Sequence, residues 1–230
     1  MDILVSASSH ACELTGDQIG PPSPQSKGAN FVEKSRILGS LREPMRRIGF
    51  ACASGKFVSD RGPFRLSVGM NSASEQQGRV LAVNPVLGVA HKAIQARLAA
   101  ATDNGHWLRV ATVSRPIGYA MPDDRFTQWR FAADNLDRPA TAVADAVQDF
   151  GLPWMNGMTD LNTMLTELAD GLSHAEEFKI PILLAELGRR EEGRDHVESK
   201  LREFAGENHI LAQDYRAFAA RFLDDLDKIN

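Results

Sequence analysis

Apolar residues change their spacing twice along this chain, and the changes divide it into three parts. Before about residue 30 there is no period: Gly16, Gly20, Pro21, Pro22, Pro24 and Gly28 lie among Ser and Gln, so residues 1–30 read as a disordered tail with no apolar stripe to bury. From Phe31 to Ile48 the period is helical, with Leu38, Leu41, Met45 and Ile48 on one stripe and Gly49 as the left-handed residue that closes the helix. Pro44 is expected to kink this helix or divide it.

After Gly49 the pattern becomes that of an antiparallel sheet. Phe57-Val58 is a short strand, and Asp60-Arg61-Gly62-Pro63 is a turn. Phe64, Leu66, Val68 and Met70 then alternate with Arg65, Ser67 and Gly69, which gives one face to the core and one to water. A loop at Ser74 to Gly78 precedes a third apolar run, Val80 to Val89. Pro85 lies inside that run and has no N–H to give, which predicts an edge strand, a bulge or a break. His91 to Ala101 reads as a helix stopped by Thr102-Asp103-Asn104-Gly105, and Trp107 to Val113 as a central strand with apolar residues on both faces. After a turn at Pro122-Asp123-Asp124, Phe126 to Ala132 reads as a further strand, with Phe126, Gln128 and Arg130 on one face and Thr127, Trp129 and Phe131 on the other.

From Pro139 the period is helical to the end. Asp137 is the expected N-cap of a helix that buries Val143, Val147 and Phe150 and is closed by Gly151. Leu161, Leu165, Leu168 and Leu172 mark the next helix. Ser173 with Glu176 has capping-box spacing, ahead of a helix that Pro181 is expected to interrupt. Leu183, Leu184 and Leu187 precede Gly188, and Val197, Leu201 and Phe204 lie on another helix. A last helix near Asn208 carries the most regular stripe: Leu211, Tyr215, Phe218, Phe222, Leu226 and Ile229. Two arrangements fit this stretch, a helical hairpin array loosely like a tetratricopeptide pair or a helical layer packed on the sheet.

The fold expected is therefore α+β. Residues 31–172 hold an antiparallel sheet of about four to five strands flanked by helices, and residues 173–230 form a helical extension packed on it. Within residues 31–172 the helix with Met45-Arg46-Arg47-Ile48-Gly49-Phe50, the strand pair, Ile117-Gly118, the Trp129 strand and Leu152-Pro153-Trp154 follow one another in an order that resembles the bacterial domain family DUF4304. Pro44 and Ser72 to Gln77 depart from its pattern. The resemblance implies an immunity or accessory protein of the kind found beside polymorphic toxins, and it carries no catalytic residues over.

Composition narrows the class. A 25.2 kDa chain with 43% hydrophobic residues can bury a substantial core. No run approaches the ~20 apolar residues that span a bilayer. Asp2 stands where a signal peptide would be basic, and Cys12 and Cys52 form neither a CxxC pair nor a disulfide framework, so a cytoplasmic protein is expected. Charge is uneven: residues 27–65 hold nine Lys and Arg against three Asp and Glu, whereas residues 132–230 hold ten against twenty. The acidic part is expected to offer Glu191, Glu192 and Glu198 as a surface for a basic partner, for instance a nuclease toxin or effector. The basic segment 27–65 is an alternative contact for nucleic acid, although it lacks interleaved aromatics and the net charge of −4 opposes that reading.

Candidate chemistry is sparse. There is no GxSxG, Walker loop, GxGxxG or HExxH, and His10, His91, His106, His174, His196 and His209 are scattered without paired ligand spacing. No catalytic residue, metal or cofactor is expected. Glu192, His196 and Lys200 share one helix face, which reads either as an acid–base strip or as exposed ion pairing worth a few tenths of a kcal/mol per pair. Trp129 and Arg130, near Asp123 and Asp124, mark either a ligand cleft or, for Trp129, ordinary core packing. The function expected is a non-catalytic binding protein that neutralises a toxin or effector by direct contact. The alternative is an enzyme whose site assembles from residues distant in sequence.

Overall fold

The computed structural model describes residues 31–171 and 175–228. The expected tail, the Ser173 half of the capping box, Leu172 and Ile229 lie outside the described residues.

Helix α1 (Lys34–Arg47) buries Ile37, Leu41 and Met45, and Gly49 just beyond it has φ +88°, the left-handed turn expected there. Leu38 and Ile48 are only half-buried at the margin of the stripe. The helix runs through Pro44 without dividing, because the proline removes one bond near its end while the residues beside it, Leu41 and Met45, stay fully packed.

Strands β1 (Ala51–Ala53), β2 (Lys56–Arg61), β3 (Phe64–Glu75), β4 (Val80–His91) and β5 (Val113–Pro116) pair in chain order. With β6 (Trp129–Ala132), which pairs β4, they make a six-stranded antiparallel sheet, so the α+β architecture stands as expected. On one face Phe57, Val68 and Leu87 are cross-strand partners, as are Leu66 and Val89, and all are buried. This face is the core.

β4 is a central strand, not an edge, and it neither bulges nor breaks at Pro85. The reason is on its second flank. β6 pairs with Val80 to Val83 and β5 with Val86 to Val89, so Asn84 and Pro85 face no strand there, and a missing donor is tolerated. Asn84 sends its side chain across the gap instead, with Nδ2 donating to Thr127 O at 2.8 Å.

Residues 107–113 are not a strand, apart from Val113. Helix α2 (Lys92–Thr102) ends at a left-handed Asp103, the Asn104 side chain accepts from His106 N, and Gly105–Leu108 forms a 3-10 turn. Side chains then take the place of a ladder: Gln95 Nε2 donates to Val110 O at 2.6 Å, and Thr112 Oγ1 accepts from His91 N at 3.0 Å. Likewise only Trp129–Ala132 of the expected Phe126–Ala132 strand is extended, with Phe126 exposed.

Helix α3 (Asp137–Ala146) has Leu136 at its N-cap position without a side-chain bond, so Asp137 is its first helical residue and not its cap, and the helix does not stop at Gly151. It passes through a π turn over Val147–Gly151 into α4 (Leu152–Gly157). Gly151 is there for closeness to the sheet, since a Cβ on it would lie 3.0 Å from Leu87 Cδ2. Helix α5 (Leu161–Ala169) follows, and Arg115 of β5 reaches Glu167 on it with two bonds of 2.8 and 3.1 Å.

Helices α6 (Glu176–Glu186), α7 (Arg190–Glu203) and α8 (Ile210–Lys228) pack on one another, and α6 and α8 pack on α2. Tyr215, Phe218, Phe222 and Leu226 are buried as the stripe predicts. α6 runs uninterrupted through Pro181. The carbonyl of Glu177, which Pro181 leaves without its helical donor, lies 3.5 Å from the Tyr215 hydroxyl.

Candidate functional site

The sheet face opposite the core carries the side chains that alternate with it: Lys56, Val58 and Asp60 on β2, Arg65 and Ser67 on β3, Ala90 on β4. Residues 105–112 rise along this face as a wall, which is pinned to α2 through Gln95, to β4 through Thr112, and to β2 by Lys56 Nζ donating to Arg109 O at 3.4 Å. Gly88 lets the wall come close, since a Cβ on it would meet Ser67 Oγ at 2.8 Å and Ala111 Cβ at 3.0 Å.

Between floor and wall lies a groove of about 700 Å³. That size is in the range of ligand sites. Its lining is Ala53 and Ser54 at the β1–β2 turn, the six side chains named above, Gln95 of α2, and Leu108, Arg109 and Ala111 of the wall. Leu108 stands at the lip and is 50% exposed.

Charge in the groove divides along its length. At one end Asp60 Oδ1 is shared by Arg65 Nε at 3.1 Å and Lys92 Nζ at 3.2 Å. The Lys92 ammonium and then the Arg65 guanidinium hold this carboxyl below the usual carboxylate range. At the other end Lys56 and Arg109 have no carboxylate partner among the described residues. The groove is therefore net positive.

Among the described residues no His, Cys, Glu or Tyr lines it, and the Ser67 hydroxyl is turned to Gly88 O at 3.4 Å. The arrangement offers charge and shape, without an acid–base pair. Among the described residues no three His, Cys, Asp or Glu side chains converge as a metal-binding set, and no helix is long and apolar enough to cross a membrane.

The residues singled out from sequence lie elsewhere. Glu191, Glu192 and Glu198 are exposed on α7, where Glu192 is bound by Arg189 at 2.7 Å and Arg194 stands between the other two. Trp129 and Arg130 point to opposite faces of β6: Trp129 packs against the core, and Arg130 pairs with Glu75 at 2.9 Å. Asp123 pairs with Arg125. Neither Trp129 nor Arg130 lines the groove.

The Glu192, His196 and Lys200 strip is not a unit. His196 and Lys200 turn to Glu177 of α6, with Lys200 Nζ at 2.9 Å. His196 Nε2 lies 3.3 Å from that carboxylate without hydrogen-bond alignment. Burial holds His196 below the usual histidine range against the opposing pull of Glu177.

Nor does the basic segment form one surface. Arg46 and Arg47 clamp Glu43 on α1, whose carboxyl drops to about 2, whereas Lys56 and Arg65 belong to the groove. Of the groove, the alternation of β3 showed that Arg65 and Ser67 share the face opposite the core. The wall was hidden by the strand-like spacing of 107–113.

Family models, curated proteins and solved structures contain no match to this chain.

Proposed function

We propose that the chain is a non-catalytic binding protein that holds an anionic ligand in the groove on the open sheet face. The observation that carries this is the pairing state of the lining among the described residues: Lys56 and Arg109 stand without a carboxylate partner, while the Asp60 carboxylate is already bound by two cations. An arriving anion meets positive potential without displacing an ion pair. The test is titration with anilinonaphthalene sulfonate, an apolar sulfonate whose fluorescence rises on binding. Saturable binding is expected, weakened about tenfold in a Lys56→Gln, Arg109→Gln double variant, a loss equal to one good charge contact. Undiminished binding in that variant, with its melting curve unchanged, would place the dye elsewhere and remove the proposal.

A second reading has its own observation. Glu191, Asp195 and Glu198 make the outer face of α7 acidic, with Arg194 the basic residue between them. This supports the immunity role that the DUF4304 resemblance implies, with a basic toxin or effector as partner. Reversing Glu191, Glu192 and Glu198 to Lys is expected to slow association with a toxin encoded beside it, most at low salt, and to leave melting nearly unchanged. Cells that make the neighbouring product and survive without this chain would exclude the role.

A further inference from the structure

We infer that the ligand of the groove is an aliphatic anion, a medium-length hydrocarbon chain with a carboxylate or phosphate head. This rests on the groove reading above and specifies its ligand. Three features of the lining point to it.

The apolar part of the lining is entirely aliphatic: Ala53, Val58, Ala90, Leu108 and Ala111. Among the described residues no aromatic ring lines the groove on which a base could stack, and such stacking is the usual source of affinity for nucleotides and single strands. Methylene groups have no such requirement, and each contributes about 0.8 kcal/mol when removed from water.

The charges are arranged for a single head. Lys56 and Arg109 are bridged by a hydrogen bond, so ammonium and wall are held at one end of the groove. Asp60 lies four positions further along the same strand face, about 13 Å away at the rise of a β-strand. A second anionic group there would face a carboxylate already occupied by Arg65 and Lys92. The ligand therefore has one charged end near Lys56 and an uncharged body that runs over Val58 and Ser67.

Leu108 supplies the third feature. It is a large apolar side chain left half in water at the lip. Leu108 precedes Arg109, so the methylene groups next to the charged head would cover it.

The experiment measures displacement of anilinonaphthalene sulfonate from the intact protein by decanoate, decyl phosphate, decanol, inorganic phosphate and adenosine monophosphate, all below micelle-forming concentration. Decanoate or decyl phosphate is expected to displace the dye at concentrations at least about tenfold lower than the other three, since both head and body contribute. The stronger of the two identifies the head. Ala53→Leu, which narrows the groove at an exposed turn, and Arg109→Gln, on the exposed wall, should each weaken decanoate or decyl phosphate severalfold and leave the melting curve in place.

Adenosine monophosphate or phosphate competing equally well would overturn the aliphatic body, and decanol competing equally well would overturn the anionic head. Either result leaves the groove reading intact. Dye binding that ignores Lys56 and Arg109 altogether would overturn that reading itself. Displacement indifferent to both Ala53→Leu and Arg109→Gln would overturn the placement.

Discussion

Tyr215 is fully buried, and its hydroxyl meets the Glu177 carbonyl that Pro181 leaves without a helical donor. Removing that hydroxyl should therefore cost most when the proline is present. Tyr215→Phe is predicted to lower stability by about 1 kcal/mol in urea denaturation. In a Pro181→Ala background, where residue 181 regains an N–H, the same change should cost less. Equal costs in both backgrounds would show the two groups uncoupled. Histidine supplies a second test at this scale. Burial holds His91 and His196 below the ordinary histidine value, with Glu186 opposing at the first, Glu177 and Glu203 opposing at the second, and Lys200 assisting there. Burial thus favours the neutral form of both rings. The stability this represents is whole above the unfolded value of about 6.5 and is lost as pH falls through it toward the folded value. Melting temperature is expected to drop between about pH 7 and about pH 5, less steeply in His196→Gln. A flat profile would count against buried neutral rings.

Two glycines show how differently one substitution acts in two elements. Gly39 sits in α1 with nothing within 4 Å of a would-be Cβ, so Gly39→Ala is predicted to stabilise by up to about 1 kcal/mol through helix propensity. Gly118 follows β5 in a turn where a Cβ would stand 2.0 Å from Arg125 O, a backbone atom that cannot swing away. Gly118→Ala is predicted to cost roughly 2–3 kcal/mol. Thermal melts of the two variants should move in opposite directions. Elements whose pattern is set by their own burial were legible in the sequence: α1, the alternation of β3, and the α8 stripe with Phe218 and Phe222 at its centre. Those decided by distant partners were not. Pro85 is admissible because β5 and β6 leave a gap, Pro181 because Tyr215 arrives from another helix, and Gly151 because Leu87 lies beneath it. Residues 107–113 alternate as a strand would, yet the Lys56 and Gln95 side chains meet the carbonyls of Arg109 and Val110 from the side, and the Thr112 hydroxyl takes the His91 N–H in place of a ladder bond.

At the scale of the molecule the helical part and the groove are mechanically joined. Phe178 of α6 packs edge-on against both Tyr215 and Phe218, and its other side meets Trp107, the residue before Leu108 in the groove wall. The Lys179 ammonium, buried and pushed down by that burial, lies 6.0 Å from the same indole. Phe218→Asp places a charge in this apolar contact without a partner, at a cost of several kcal/mol, comparable to the stability of a domain. It is predicted to lower the melting point sharply and to weaken dye binding in the groove, although Phe218 lies nowhere near the lining. Unchanged dye affinity with a depressed melting point would show that the wall stands without the helices behind it.

The long β3–β4 pair also bears on the order in which the chain acquires its shape. Its two strands are joined by only Gln76 to Arg79, with left-handed backbone at Gln76, Gln77 and Gly78, so its twelve cross-strand partners zip from a local turn. Docking of α6 and α8 on α2, by contrast, closes a long loop before any contact is gained. The hairpin is therefore predicted to belong to the nucleus and the helical array to the later descent. Leu66→Ala or Val68→Ala should accordingly slow refolding, whereas Phe222→Leu should mainly speed unfolding, a contrast that stopped-flow chevrons resolve.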